Sequence, residues 1–175
     1  LNPFKIPDLA PRTEIGGFGL YFGRLIDEKG VDILIAALKN TPSYPFKIVG
    51  DGPDLDHLKN LAKVNGLDNI EFVGPLWGDA LNELLYSARF VVVPSIWHEN
   101  FPYVILQAFA AGKPVIGSNR GGIPEMVSHG ERGFIYEAQE PIELGKAIET
   151  LWEAEDLIKT YSSNARKYVV ENFND

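Results

Sequence analysis

Apolar residues along this chain follow two alternating rhythms. Short runs rich in aromatic and β-branched residues, at Phe18–Gly23, Phe46–Gly50, Ile70–Gly74, Phe90–Pro94, Pro114–Gly117 and Phe134–Tyr136, read as strands, several of them closed by Gly or Pro. Between them, apolar positions recur at helical spacing: Val31, Leu34, Ile35 and Leu38 share one face, as do Leu81, Leu84, Leu85 and Ala88, and later Leu144, Ala147, Ile148 and Leu151. Alternation of this kind calls for right-handed crossovers, and a run such as Phe90-Val91-Val92-Val93 has to be covered on both faces. The pattern therefore predicts an α/β, Rossmann-like three-layer domain on a mostly parallel six-stranded sheet. In open sheets of this class ligands sit at the carboxyl ends of the strands, so chemistry is expected in the loops that follow each strand.

Either end of the pattern is different. Residues 1–17 carry Pro3, Pro7, Pro11, Gly16 and Gly17, which interrupt any regular element and suit a linker, so the ordered domain is expected over residues 18–175. Two long helical runs, Ile142–Trp152 and Asp156–Asn172, close the chain with no strand after them, and are expected to pack against something absent.

Composition narrows the class. A chain of 175 residues, 45% apolar and 23% charged, has the make-up of one globular domain. No apolar run approaches the roughly 18 residues of a membrane-spanning helix, and no cysteine is present to form a disulfide, a thiolate nucleophile or a thiolate metal site. A cytoplasmic location is the expectation. The net charge of −8 opposes non-specific attachment to nucleic acid or anionic lipid, so an anionic ligand needs a local basic site. Neither a GxGxxG nor a GxxxxGK[ST] loop occurs, which removes the main support for ordinary dinucleotide and P-loop readings.

Three loops carry candidate chemistry. After the first strand, Arg24 and Lys29 flank the start of the next helix, where free amides and the helix dipole already favour an anion; together they would suit a diphosphate. The alternative is that they pair with Asp27, Glu28 or Asp32. After the fourth strand, Glu99 precedes a helix that Pro102 is suited to open, where its carboxylate can accept bonds from sugar hydroxyls. Gln107 lies farther along that helix, about 7.5 Å along the axis from Pro102 at 1.5 Å per residue, so it and Glu99 can touch different parts of one extended ligand. After the fifth strand, the paired glycines Gly121 and Gly122 allow close backbone approach to phosphate or sugar oxygens, or make a plain turn before Pro124. Asp54-Leu55-Asp56 opens a helix, where acids complement the dipole, and two carboxylates alone rarely hold a divalent ion, so no metal site is assigned. His57 and His129 read as surface residues, and His98 is a minor candidate because it borders Glu99.

Taken together, Tyr21-Phe22-Gly23-Arg24-Leu25 with Glu28-Lys29-Gly30, Ile48-Val49-Gly50-Asp51-Gly52-Pro53, Phe72-Val73-Gly74, Pro94-Ser95 through Pro114-Val115, and Gly121-Gly122-Ile123-Pro124-Glu125 form five ordered blocks. They resemble the C-terminal, donor-binding domain of GT-B glycosyltransferases of family 4, which includes glycogen and sucrose-phosphate synthases. The resemblance implies that Arg24 and Lys29 contact a donor diphosphate and that Leu76 lies against the nucleobase. It implies too that Glu99 faces the donor sugar, and that the backbone of Asn100, Phe101, Pro102 and Tyr103 borders sugar and phosphates, with Gly121 and Gly122 close by. Glu99 matches the first acid of the family's E-x7-E motif, while the second falls on Gln107, a departure that weakens the expected grip on the ribose.

By the same resemblance the reaction is retaining transfer of a hexose from a UDP-, GDP- or ADP-sugar, with no obligatory metal or cofactor and with catalytic roles for Glu99, Arg24 and Lys29. The acceptor, a saccharide or lipid-linked saccharide, would be held by an N-terminal domain absent from this chain. Membrane contact would come only through that domain, and the fragment alone is expected to be inactive. A different class of reading is a non-catalytic nucleotide-binding or scaffold module derived from such an enzyme, for which Gln107 is the main argument. An epimerase of the same fold would need catalytic acids that the sequence does not offer.

Overall fold

The computed structural model describes residue 12 and residues 14–173. Most of the expected linker, residues 1–11 and residue 13, lies outside the described residues, as do residues 174–175.

Strand and helix alternate as the apolar rhythm requires. The strands are β1 (Phe18–Phe22), β2 (Phe46–Val49), β3 (Ile70–Gly74), β4 (Ala88–Val93), β5 (Val115–Ser118) and β6 (Gly133–Tyr136). The helices are α1 (Val31–Leu38), α2 (Leu55–Val64), α3 (Gly78–Ser87), α4 (Tyr103–Ala110), α5 (Ile123–Val127), α6 (Pro141–Glu153) and α7 (Glu155–Phe173), with a 3-10 turn at Asp27–Lys29. All neighbouring strands are parallel, in the order β3-β2-β1-β4-β5-β6. The chain works outward from β1 in one direction and then from β4 in the other, so the order reverses between these two central strands. A crevice opens outside the carboxyl ends of strands at such a reversal, which sets the loops after β1 and β4 side by side.

The sheet is covered on both faces, and β4 shows why its sequence is continuously apolar. Val91 and Val93 join Leu20, Ile105, Leu106 and Phe109 on one side, while Phe90 and Val92 join Leu34, Ile35, Ile48 and Ile148 on the other. This strand begins two residues earlier than expected, at Ala88, because α3 runs into it without a loop and Ala88 pairs with Phe18 of β1.

Contrary to expectation, the two closing helices find their cover inside the chain. Leu144, Ile148 and Leu151 of α6 are fully buried and pack with α1, and α7 lies along α4 through Ala165 and Val169. Each such buried aliphatic side chain contributes about 1.5–3 kcal/mol through area removed from water, so both helices belong to the fold. Among the described residues no helix is long and apolar enough to cross a membrane.

Candidate functional site

The loop after β1 is pinned to the loop after β2 by backbone bonds from Leu25 N to Asp51 O (2.9 Å) and from Asp54 N to Leu25 O (3.1 Å), around a fully buried Leu25 side chain. From beneath, the buried Tyr21 hydroxyl donates to the Arg24 carbonyl at 2.6 Å. Burial raises the pKa of this phenol, and the nearby Glu99 charge adds to the effect, so it remains a donor. Arg24 is left with its backbone held and its side chain exposed. Among the described residues its guanidinium makes no hydrogen bond or ion pair.

The two central loops are joined twice. Ile96 N donates to Glu28 O at 3.0 Å, and Lys29 Nζ lies 2.7 Å from Glu99 Oε1, across a separation of 70 residues. Neither Asp27, Glu28 nor Asp32 is the partner of Lys29, and no ion pair engages Arg24 among the described residues, so the sequence alternative of local pairing is replaced by a pair that spans the crevice. The Lys29 and Glu99 side chains are 32% and 17% exposed, which puts the pair between the exposed kind, worth under about 1 kcal/mol, and the buried kind, where loss of one partner costs about 3–5 kcal/mol.

Ser95, almost fully buried, donates to the same Glu99 oxygen at 2.6 Å, and its carbonyl accepts from Ser118 Oγ at 2.6 Å. The Glu99 carbonyl accepts from Gly122 N at 2.8 Å. Gly121 takes the left-handed conformation at φ 53°, with the Glu99 backbone so close that an added Cβ would sit 2.3 Å from its carbonyl oxygen. Loops after β1, β4 and β5 thus converge on one carboxylate. Both side-chain donors reach Oε1, and Oε2 accepts from no described residue. Sequence reasoning missed Ser95 and Tyr21 as supports; the small polar residue straight after a buried strand was the available signal for the first.

Pro102 stands just before α4 in an extended conformation, φ −74° and ψ 101°, and not within the first turn as expected. The start of α4 has no side-chain cap. Phe101 and Tyr103 are exposed and meet edge to face at 5.8 Å, beside an exposed Asn100. Gln107 is half-buried on α4 with no hydrogen bond to its side chain among the described residues, and Leu76 is half-buried after β3 against the core. His98 accepts from Gly121 N at 3.2 Å, while His129 accepts from Ile135 N at 2.9 Å; both act as pegs for backbone amides. No group of three or more His, Cys, Asp or Glu side chains among the described residues could hold a metal ion.

Such an edge presents a fixed carboxylate oxygen, a guanidinium with no acid partner among the described residues and an uncapped helix start. It can accept hydroxyl donors and hold an anion within one crevice.

Comparison with known proteins fits this geometry. A family model described as glycosyl transferases group 1 matches residues 16–168. An uncharacterized glycosyltransferase of Methanocaldococcus jannaschii is 36% identical over 151 residues, covering 86% of this chain and 42% of the relative. HepE of Anabaena, whose crystal structure is a complex with UDP-glucose, superimposes with a TM-score of 0.84 at 31% identity, over 90% of this chain and 45% of HepE. The C-terminal domain of a group 1 glycosyltransferase (LpcC) from Francisella tularensis matches with a TM-score of 0.77 at 26% identity, over 91% of this chain and 87% of that domain. The chain spans less than half the length of the first two. With its six parallel strands and the matched span, this chain belongs to the glycosyl transferases group 1 family and has the fold of the C-terminal domain of its GT-B members.

Proposed function

We infer that this chain is the donor-binding domain of a retaining glycosyltransferase that moves a hexose from a nucleoside diphosphate sugar to a saccharide or lipid-linked saccharide. The observation that carries the reading is Glu99. Lys29 and Ser95 hold one of its carboxylate oxygens, at 2.7 and 2.6 Å, and the other is left for a sugar hydroxyl.

Arg24 then supplies the positive charge that meets the diphosphate, because Lys29 is already half-committed to Glu99. A lysine ammonium has three donors, so Lys29 can bridge Glu99 and a phosphate oxygen while keeping its present bond. Together with the uncapped start of α4, these groups would stabilise charge on the departing diphosphate without a metal, as fixed electrostatics commonly does in catalysis. Leu76 would border the nucleobase, and the backbone at Gly121 and Gly122 would lie near the sugar and phosphates. Acceptor binding would belong to a second domain, so this chain alone would bind nucleotide weakly and transfer nothing, in a cytoplasmic setting.

Gln107 favours a second reading, a nucleotide-binding or scaffold module without catalysis. Exchange of an acid for an amide forfeits the charge-assisted part of a ribose contact, about 1–2 kcal/mol. Calorimetric titration with UDP, GDP, ADP and UDP-glucose separates the two in part, because only the donor domain requires recognition of the attached sugar. UDP-glucose bound differently from UDP supports the donor domain; absence of binding to all four at millimolar concentration overturns it.

A further inference from the structure

Along the opposite edge of the sheet, at the amino ends of β4 and β5, a pocket of about 800 Å³ opens between the segment before β1 and helix α7. Its rim and walls carry Arg12, Arg89, Lys113, Lys159, Arg166 and Lys167, against Glu14 as the one acid among the described lining residues. Three of these cations are already engaged: Arg12 with Glu83, Arg89 with Glu155, and Lys167 with Glu171. Arg166 donates to the Ala110 carbonyl, and Lys113, Lys159 and Arg166 have no acid partner among the described residues, on a chain whose net charge is −8. The basic set is a local feature that general charge does not explain.

Lys113 is the sharpest part of it. The residue is 3% exposed and lines the pocket, and its ammonium makes no hydrogen bond or ion pair among the described residues. Partial loss of water disfavours the charged form of an unpaired ammonium, and this one is not sealed from solvent, so a ligand in the pocket can reach it. Burial lowers its pKa to about 8, helped by the charge of Arg12. An anion in the pocket would supply the missing partner and restore the charged form.

Size and lining narrow the ligand. The volume lies in the range of small-molecule sites and is far more than a bare phosphate fills. Ile15, Ile158 and Val170 give apolar wall beside the cations. We propose that this pocket is a second ligand site, separate from the crevice around Glu99, and that it takes a phosphate monoester bearing an apolar body.

The test uses this chain with phenyl phosphate and inorganic phosphate as probes, and Arg24→Ala as the background that silences the crevice. Phenyl phosphate at ten times its Kd should raise Tm by about 3–6 °C in the parent and in Arg24→Ala, and inorganic phosphate should do less. It should also move the Lys113 titration, followed by NMR of ¹³C-labelled lysine, upward from about 8. Lys113→Met should abolish the Tm response, and the exposed-rim variant Lys159→Glu, which keeps the interior intact, should weaken it several-fold. An unmoved Lys113 titration overturns the site, as does an equal Tm response in Lys159→Glu. Equal effects of the two probes overturn the apolar body.

Discussion

Substitution of Gly121 by alanine separates two costs that are usually mixed. The residue sits at φ 53°, where a Cβ costs about 1–2 kcal/mol through its own backbone. That Cβ would also lie 2.3 Å from the Glu99 carbonyl oxygen and 2.6 Å from its nitrogen, both of them backbone atoms that cannot swing aside. Relief requires the loop after β4 to move by about an ångström, an overpacking cost of about 1–3 kcal/mol, and stretches the 2.8 Å bond from Gly122 N to Glu99 O, worth about 1 kcal/mol. The total is about 3–6 kcal/mol. Gly66 is the control, because its φ of 67° is similar and an added Cβ there meets nothing within 4 Å. Urea unfolding of Gly121→Ala and Gly66→Ala should therefore differ by about 2–4 kcal/mol at equal m-value. A difference below about 1 kcal/mol refutes the claim that Gly121 holds the Glu99 loop against the loop after β5.

Arg24→Ala should weaken UDP binding far more than uridine binding in calorimetry, since its free guanidinium is assigned to the diphosphate; equal losses would count against that role. Gln107→Glu should tighten nucleotide binding by restoring a charge-assisted ribose contact of about 1–2 kcal/mol, and an unchanged affinity would mean that the side chain points elsewhere. Tyr136→Phe should leave stability at neutral pH unchanged or raise it by about 1 kcal/mol, because the tyrosine hydroxyl is buried without a partner. Burial, then the Asp32 charge, raises the pKa of this phenol above its ordinary value near 10. The folded state therefore holds the proton more tightly, and the contribution present below about pH 10 is lost as pH rises past it. The alkaline fall in urea midpoint should be shallower in Tyr136→Phe than in the parent; an identical slope would refute the assignment.

How much of this was legible in the sequence varies by level. Strand positions were, because β-branched and aromatic runs such as Phe90–Val93 have few other uses, and the six parallel strands follow from their alternation with helices. Strand order was not, since nothing local says that β4 returns to the far side of β1, and only that return brings Lys29 to Glu99. Local charge spacing pointed Lys29 at Asp27, Glu28 or Asp32, whereas the crossover won. The closing helices misled because an amphipathic run does not name its partner; here α1 and α4 were available. Ser95 and Tyr21 look like ordinary strand-end and core residues until the loops above them are seen.

The bridge between Lys29 and Glu99 closes a loop of 70 residues and needs β1 and β4 already paired beneath it. Contacts of such separation repay their closure entropy only after the local ones have formed, so the sheet exists before the crevice does. A ligand that needs the finished crevice has nothing to hold in the folding transition state. Nucleotide should then slow unfolding and leave the refolding rate alone, making occupancy a brake on loss of the fold and no guide to reaching it.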